Sequence, residues 1–142
     1  MTESARDLVA RLMSAFASGD VEVLDELIDV NYIQHNEIPD GLDGVKRTAK
    51  RLSRAFPDLQ VTIHDVIVEG DKVVARLTMS GTHLGPFMGV QPTGTTVEFD
   101  SVDIWRVRNG KCVEHWDAVD RLGLMKQLGL LSTTQGNEDR AT

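Results

Sequence analysis

The apolar residues of this chain change their spacing once, at Pro57, and that change constrains the fold more than any other feature. Before it they recur at helical intervals; after it they alternate. Leu8, Leu12 and Phe16, flanked by Val9 and Met13, form a stripe that ends near Gly19. Ser4, with Asp7 three residues on, reads as a capping box that opens this helix. Asp20 is placed to cap a second helix in which Leu24, Leu27 and Ile28 face inward. Leu42, Val45, Ala49, Leu52 and Phe56 define a third, stopped by Pro57, with Gly44 its weak point in propensity. Residues 31–36 between the second and third helices are polar and lead into a loop through Pro39 and Gly41.

From Leu59 the chain reads as strands. Leu59, Val61 and Ile63 share a face, and Val66 and Val68 continue with shifted parity, which predicts a bulge near His64 and Asp65. Glu69-Gly70-Asp71-Lys72 is a tight turn, and Val73, Ala75, Leu77 and Met79 alternate along the returning strand. Residues 82–94 contain His83, three glycines and two prolines, and form a loop fit to edge a pocket. Residues 95–108 are a long strand, and Asn109-Gly110 turns the chain into another. Leu122, Leu124, Met125 and Leu128 close the domain with a short helix ending at Gly129. Residues 1–131 read as a single domain, and the polar, aperiodic residues 132–142 as a flexible C-terminal tail. Helices first and antiparallel strands afterwards make an α+β domain with helices on one face of a curved sheet. Such a bent sheet leaves a conical cavity suited to small, mostly apolar ligands.

The last strand is chemically unusual. Residues 111–120 carry Glu114, His115, Asp117 and Asp120 around Trp116, and a strand that only packs a core has little use for so many ionisable groups. The Asn109-Gly110 hairpin decides which of them face inward, because one residue of slip exchanges strand faces. A two-residue type I′ loop pairs Arg108 with Lys111 and puts Asp103 and Trp105 on a face with Glu114 and Trp116. A three-residue loop pairs Val107 with Lys111, sets Asp103 opposite His115 and Asp117 opposite Ser101, and groups Phe99, Trp105 and Val113 with them. The residues alone leave both registers open.

Charge and composition exclude several functions. A net charge of −7 argues against a nucleic-acid partner, which would favour a basic face. No apolar run approaches membrane-spanning length, and the first twenty residues are too charged for a secretory signal. The single cysteine, Cys112, allows no intramolecular disulfide and fits a cytoplasmic protein. No two of His35, His83, His115 and Asp117 have short, rigid ligand spacing, so no metal site is expected, and no cofactor-binding motif is present.

The chain resembles the SnoaL-like polyketide cyclases of the nuclear transport factor 2-like superfamily over about residues 5–129. The resemblance rests on Tyr32-Ile33-Gln34-His35-Asn36, Ala55-Phe56-Pro57-Asp58, and Thr82-His83-Leu84-Gly85 leading to residues 88–94. It is strongest in residues 105–111, Glu114-His115-Trp116-Asp117 and Gln127-Leu128-Gly129. It implies a cone-shaped, curved mixed or antiparallel sheet wrapped around three N-terminal helices, a SnoaL-like α+β barrel, assembled as a homodimer or homotetramer. It also implies ring closure without a cofactor, with an Asp of the last strand as acid/base. By motif that residue is Asp117. A polar residue on the neighbouring strand, often His in those cyclases, corresponds to Asp103, a departure that bears on the substrate. The family arrangement favours the three-residue hairpin loop.

The chemistry agrees with that implication. Removing a proton α to a carbonyl needs a base and something to stabilise the enolate. A carboxylate in an apolar pocket is a stronger base than one in water, and two neighbouring carboxyls can divide the labour of base and donor. Asp117 is therefore the expected acid/base, tuned by His115 and Asp103. Gln34, His35 and Asn36 are the expected substrate contacts after the second helix, with His83 at the pocket rim or on the surface, and Phe99 and Trp105 as pocket walls. The expected ligand is a small hydrophobic carbonyl compound undergoing cyclisation, isomerisation or dehydration. Two blander readings stand beside this one. Asp103 and His115 can form a solvated cross-strand pair, and the superfamily also contains non-catalytic members that bind ligands or proteins.

Overall fold

In the computed structural model, which describes residues 3–131, Ser4 caps the first helix as its pattern predicts. Its side chain accepts from the Asp7 N–H, and helix α1 (Ala5–Ser18) ends at Gly19, whose left-handed backbone (φ 77°) donates back to Ala15. Leu8, Val9, Leu12 and Met13 are buried against the sheet and the other helices. The second helix is much shorter than expected. α2 (Leu24–Leu27) is a single turn without a side-chain cap, and Asp20 reaches only the Glu22 N–H at 3.4 Å. Leu24, Leu27 and Ile28 are inward-facing, but Ile28 already begins β1 (Ile28–Gln34). The third helix, α3 (Leu42–Ala55), stops before Pro57, and Phe56 just beyond it is fully buried. Gly44 is not an accident of composition. A Cβ there would sit 2.5 Å from the Pro39 carbonyl oxygen, so the loop before α3 requires a glycine.

The strands β2 (Gln60–Glu69), β3 (Lys72–Thr82), β4 (Thr96–Arg108) and β5 (Lys111–Val119) follow the predicted alternation. The shifted parity in β2 is a bulge at His64, between the pairs Ile63–Leu77 and Asp65–Arg76. Sheet order is β1-β5-β4-β3-β2, with β1 parallel to β5 and the other pairs antiparallel. The sheet is mixed and open, not closed into a barrel. β1 was not foreseen as a strand. A last helix, α4 (Arg121–Gln127), is capped by Asp120, whose side chain accepts from the Gly123 N–H at 2.9 Å. Leu124 and Leu128 of this end are buried, whereas Leu122 is exposed. The expectation of a flexible tail concerns residues outside those described.

Two apolar clusters flank the interior. One joins α1, α2 and α3 to β3 and β5, and the other gathers Phe56, Leu59, Val97, Phe99, Leu124 and Leu128. The space between them is the cavity.

The hairpin after β4 follows neither register as drawn from the sequence. Arg108 pairs with Lys111 across a two-residue loop, and Asn109 (φ 51°) and Gly110 (φ 78°) are both left-handed, as a type I′ turn requires. The three-residue loop is therefore wrong. Val107 pairs with Cys112, yet Arg106 pairs with Glu114, so Val113 is a bulge. Beyond it Trp105 faces His115 and Asp103 faces Asp117. The bulge restores the inward set that the type I′ turn alone would have reversed.

Candidate active site

A cavity of about 490 Å³ opens between α1, α3 and the inner face of β4 and β5. Leu12, Phe16, Val45, Met79 and Phe99 make much of its wall apolar, while Asp103, His115 and Asp117 stand together on the sheet side. Strand parity brings them there. Ser101, Asp103 and Trp105 alternate inward on β4, and His115, Asp117 and Val119 do so on β5 after the bulge.

His115 is the hub of the polar wall. Its Nε2 lies 2.8 Å from Asp103 Oδ2, and its Nδ1 lies 2.7 Å from Gln34 Oε1. The ring is stacked between Tyr32 (centroids 6.1 Å apart) and Trp105 (5.4 Å). The Ser101 hydroxyl donates to Asp103 Oδ1. Asp103, Ser101 and His115 are all buried, so this hydrogen-bonded chain holds a carboxylate that could not stand there alone. Burial pushes the Tyr32 phenol well above its usual range, with the charges of Asp103 and Asp117 adding to the effect. Tyr32 thus stays a neutral wall of the site.

Asp117 is held differently. Its Oδ2 accepts from Asn36 Nδ2 at 2.9 Å, while Asn36 Oδ1 accepts from the Ile38 N–H. No donor reaches Asp117 Oδ1 among the described residues. One oxygen is anchored and the other is open to the cavity. The ligand-type atoms of Asp103, His115 and Asp117 lie within 4.8 Å of one another, close enough to influence one another's charge and close enough to hold a cation.

Gln34 and Asn36 therefore belong to the site, and Phe99 and Trp105 line it. His35 does not. It follows the same alternation to the opposite face, where its ring stacks on Trp116 (4.8 Å) and its Nε2 meets Glu114 Oε2 at 2.6 Å. Glu114, in contact with His35 and Arg106, is held below the usual carboxylate range. His83 lies neither at the rim nor on the surface. It is fully buried against Phe56, with Nδ1 facing Thr93, because the loop of residues 83–95 folds back over it. Ser101 was set on the inward face by sequence reasoning without a role, and Tyr32 and the cavity-lining Arg47 and Arg51 of α3 were missed as contributors. Tyr32 and Ser101 each lie two residues before a recognised site residue. That period-two spacing was the available signal.

Fold and site together define a class: a small α+β domain whose open sheet sets a wall of ionisable side chains against a mostly apolar chamber. The chain belongs to the SnoaL-like polyketide cyclase family, whose model matches residues 6–128. It is 30% identical over 123 residues to the nogalonic acid methyl ester cyclase of Streptomyces nogalater, covering 83% of this chain and 92% of that one. It is 28% identical over 130 residues to the aklanonic acid methyl ester cyclase DnrD of Streptomyces peucetius, covering 87% and 89%. Among solved structures, TsrD of Streptomyces laurentii superimposes with a TM-score of 0.83 at 35% identity, covering 89% of this chain and 95% of that one. IdmH of Streptomyces antibioticus gives 0.75 at 36% identity, with 89% and 99% covered.

Proposed function

We propose that this protein is a cofactor-independent cyclase acting on a small hydrophobic ester or ketone of polyketide type, with Asp117 as its acid/base. The observation that carries the reading is the state of Asp117: one oxygen fixed by Asn36, the other unengaged, at the wall of an apolar cavity. Asp117 takes a proton from the carbon α to one carbonyl. The enolate carbon then adds to a second carbonyl of the same molecule, forming the ring C–C bond, and the resulting alkoxide regains the proton from Asp117. The sequence is redox-neutral and returns the base to its starting state, so its atoms balance without a co-reactant. Gln34, whose Oε1 is turned to His115, presents its amide N–H groups to the enolate oxygen. Asp103 and His115 are positioning residues that hold this wall rigid. The relatives named as methyl ester cyclases support the substrate class. Assembly as a homodimer or homotetramer through the outer sheet face, where Val102 and Ile67 are exposed, belongs to the same proposal.

The test is Asp117→Asn, assayed for loss of β-keto ester substrates and appearance of cyclised product. Asn36 can still be accommodated, so the fold, checked by urea midpoint, stays intact. Turnover falls by about 10²–10⁴-fold. Full turnover by a normally folded Asp117→Asn protein would sink the assignment.

A further inference from the structure

α3 is the most basic element of an acidic chain. It carries Lys46, Arg47, Lys50, Arg51 and Arg54 against the single carboxylate of Asp43, in a protein of net charge −7. Arg47 and Arg51 stand one helical turn apart, and both line the cavity beside Thr48. Both are exposed. Several other arginines are paired, Arg11 with Glu3 and Glu26, Arg76 with Asp65, Arg106 with Asp71 and Glu114, while Arg54 and Arg108, unpaired among the described residues, stand off the cavity wall. Even Arg121, which also lines the cavity, is 3.0 Å from Glu37. Neither Arg47 nor Arg51 has an ion-pair or side-chain hydrogen-bond partner among the described residues. Like charges at this spacing weaken a helix, so the pair does nothing for α3 itself.

We propose that Arg47 and Arg51 bind an oxyanion, a carboxylate or phosphate, at the mouth of the cavity. The ligand is then an amphiphile, held with its carbonyl end inward and its anionic end at α3. The charge distribution fixes that direction. An anion deep in the chamber would face the carboxylates of Asp103 and Asp117, whereas at the mouth it meets two guanidinium groups built for forked recognition of such oxygens. The proposal rests on the cyclase reading for the nature of the inward end. The anion preference itself needs only the arginines. The protein's overall negative charge opposes anionic ligands, so a measured preference has to be local.

The experiment compares three probes that share one apolar body: 2-naphthoate, its methyl ester and 2-naphthyl phosphate. Binding to the full chain is followed by calorimetry at low and at high salt. At low salt at least one anion binds about tenfold more tightly than the ester, and the margin shrinks as salt rises. The tighter of the two anions identifies the group the mouth takes. In Arg47→Gln/Arg51→Gln the preference disappears and ester affinity is unchanged. Lys50→Gln, on the same helix but off the cavity wall, retains the preference. If neither anion binds more tightly than the ester, or if the preference survives in the double arginine variant, the proposal is overturned. Asp117→Asn separates it from the cyclase reading, because that variant loses turnover and keeps the anion preference.

Discussion

Replacing His115 with Phe tests whether the polar wall is built as described, and it needs no substrate. Phe keeps a ring between Tyr32 and Trp105, so the packing survives and only the two nitrogens are lost. Asp103 Oδ2 then has no donor, in a residue that is 8% exposed. Losing a hydrogen bond to a buried charged group costs about 1.5–3 kcal/mol. The imidazole also stood beside two carboxylates whose oxygens lie within 4.8 Å of its nitrogen and of each other. At that separation the bare repulsion is roughly 3.5 kcal/mol for an effective permittivity near 20, a ceiling that water in the adjoining cavity reduces to about 1. Gln34 borders the cavity and regains a water partner, so its loss is small. The total is about 3 kcal/mol, within the range expected when one member of a buried pair is removed. With a urea m-value of about 1.5–2 kcal/mol/M, the midpoint falls by roughly 1.5–2 M. The decisive measurement is a double-mutant cycle with Asp103→Ala. Taking away the stranded carboxylate makes the double variant more stable than the two single losses predict, by about 2 kcal/mol. Additivity to within about 0.5 kcal/mol would refute the pairing of these side chains.

Gly44→Ala should destabilise the protein by about 1–3 kcal/mol, although helix propensity alone predicts a gain of about 1, because the new methyl meets the Pro39 carbonyl oxygen; a raised melting temperature would contradict the loop geometry. Burial pushes the Cys112 thiol up to about 12, so the native protein should resist alkylation at pH 8 and react only when urea unfolds it, as mass spectrometry would show. Glu114 and Asp71 are both held below their ordinary values, Glu114 by His35 and Arg106, Asp71 chiefly by Arg106. Their contribution is complete above those ordinary values of 4.5 and 3.8 and is lost as pH falls through the lower native ones. Arg106→Gln should therefore lower the urea midpoint at pH 7 more than at pH 3; an equal loss at both would exclude the linkage.

What the chain made legible follows from where each signal lies. α1, α3 and the antiparallel strands carry their evidence within a few residues of themselves, as stripes, caps and turns. β1 does not. Its partner β5 is some eighty residues away, and five steps along β1 match only two along β5, from Ile28 against Cys112 to Ile33 against Glu114. Val30 is exposed where a regular strand would turn it inward, so the inward pair Ile28 and Tyr32 stands four residues apart, a spacing that mimics a helix. Once residues 32–34 are read as strand, their parity sends Tyr32 and Gln34 toward the cavity, while His35 turns away and Asn36 reaches Asp117 from the bend that follows. The bulge at Val113 was illegible for a related reason. Nothing in the run Lys111-Cys112-Val113-Glu114 announces an unpaired residue. The type I′ turn was one of the two registers open from the residues, and the inward grouping of Asp103, His115 and Asp117 belonged to the other. Each held one true half, because a bulge can undo the parity a turn sets. Cys112 must face inward to fill the core, and two residues on Glu114 must face outward to meet Arg106 and His35. A regular strand cannot do both. The bulge reconciles them, and by doing so it delivers Asp117 to the cavity.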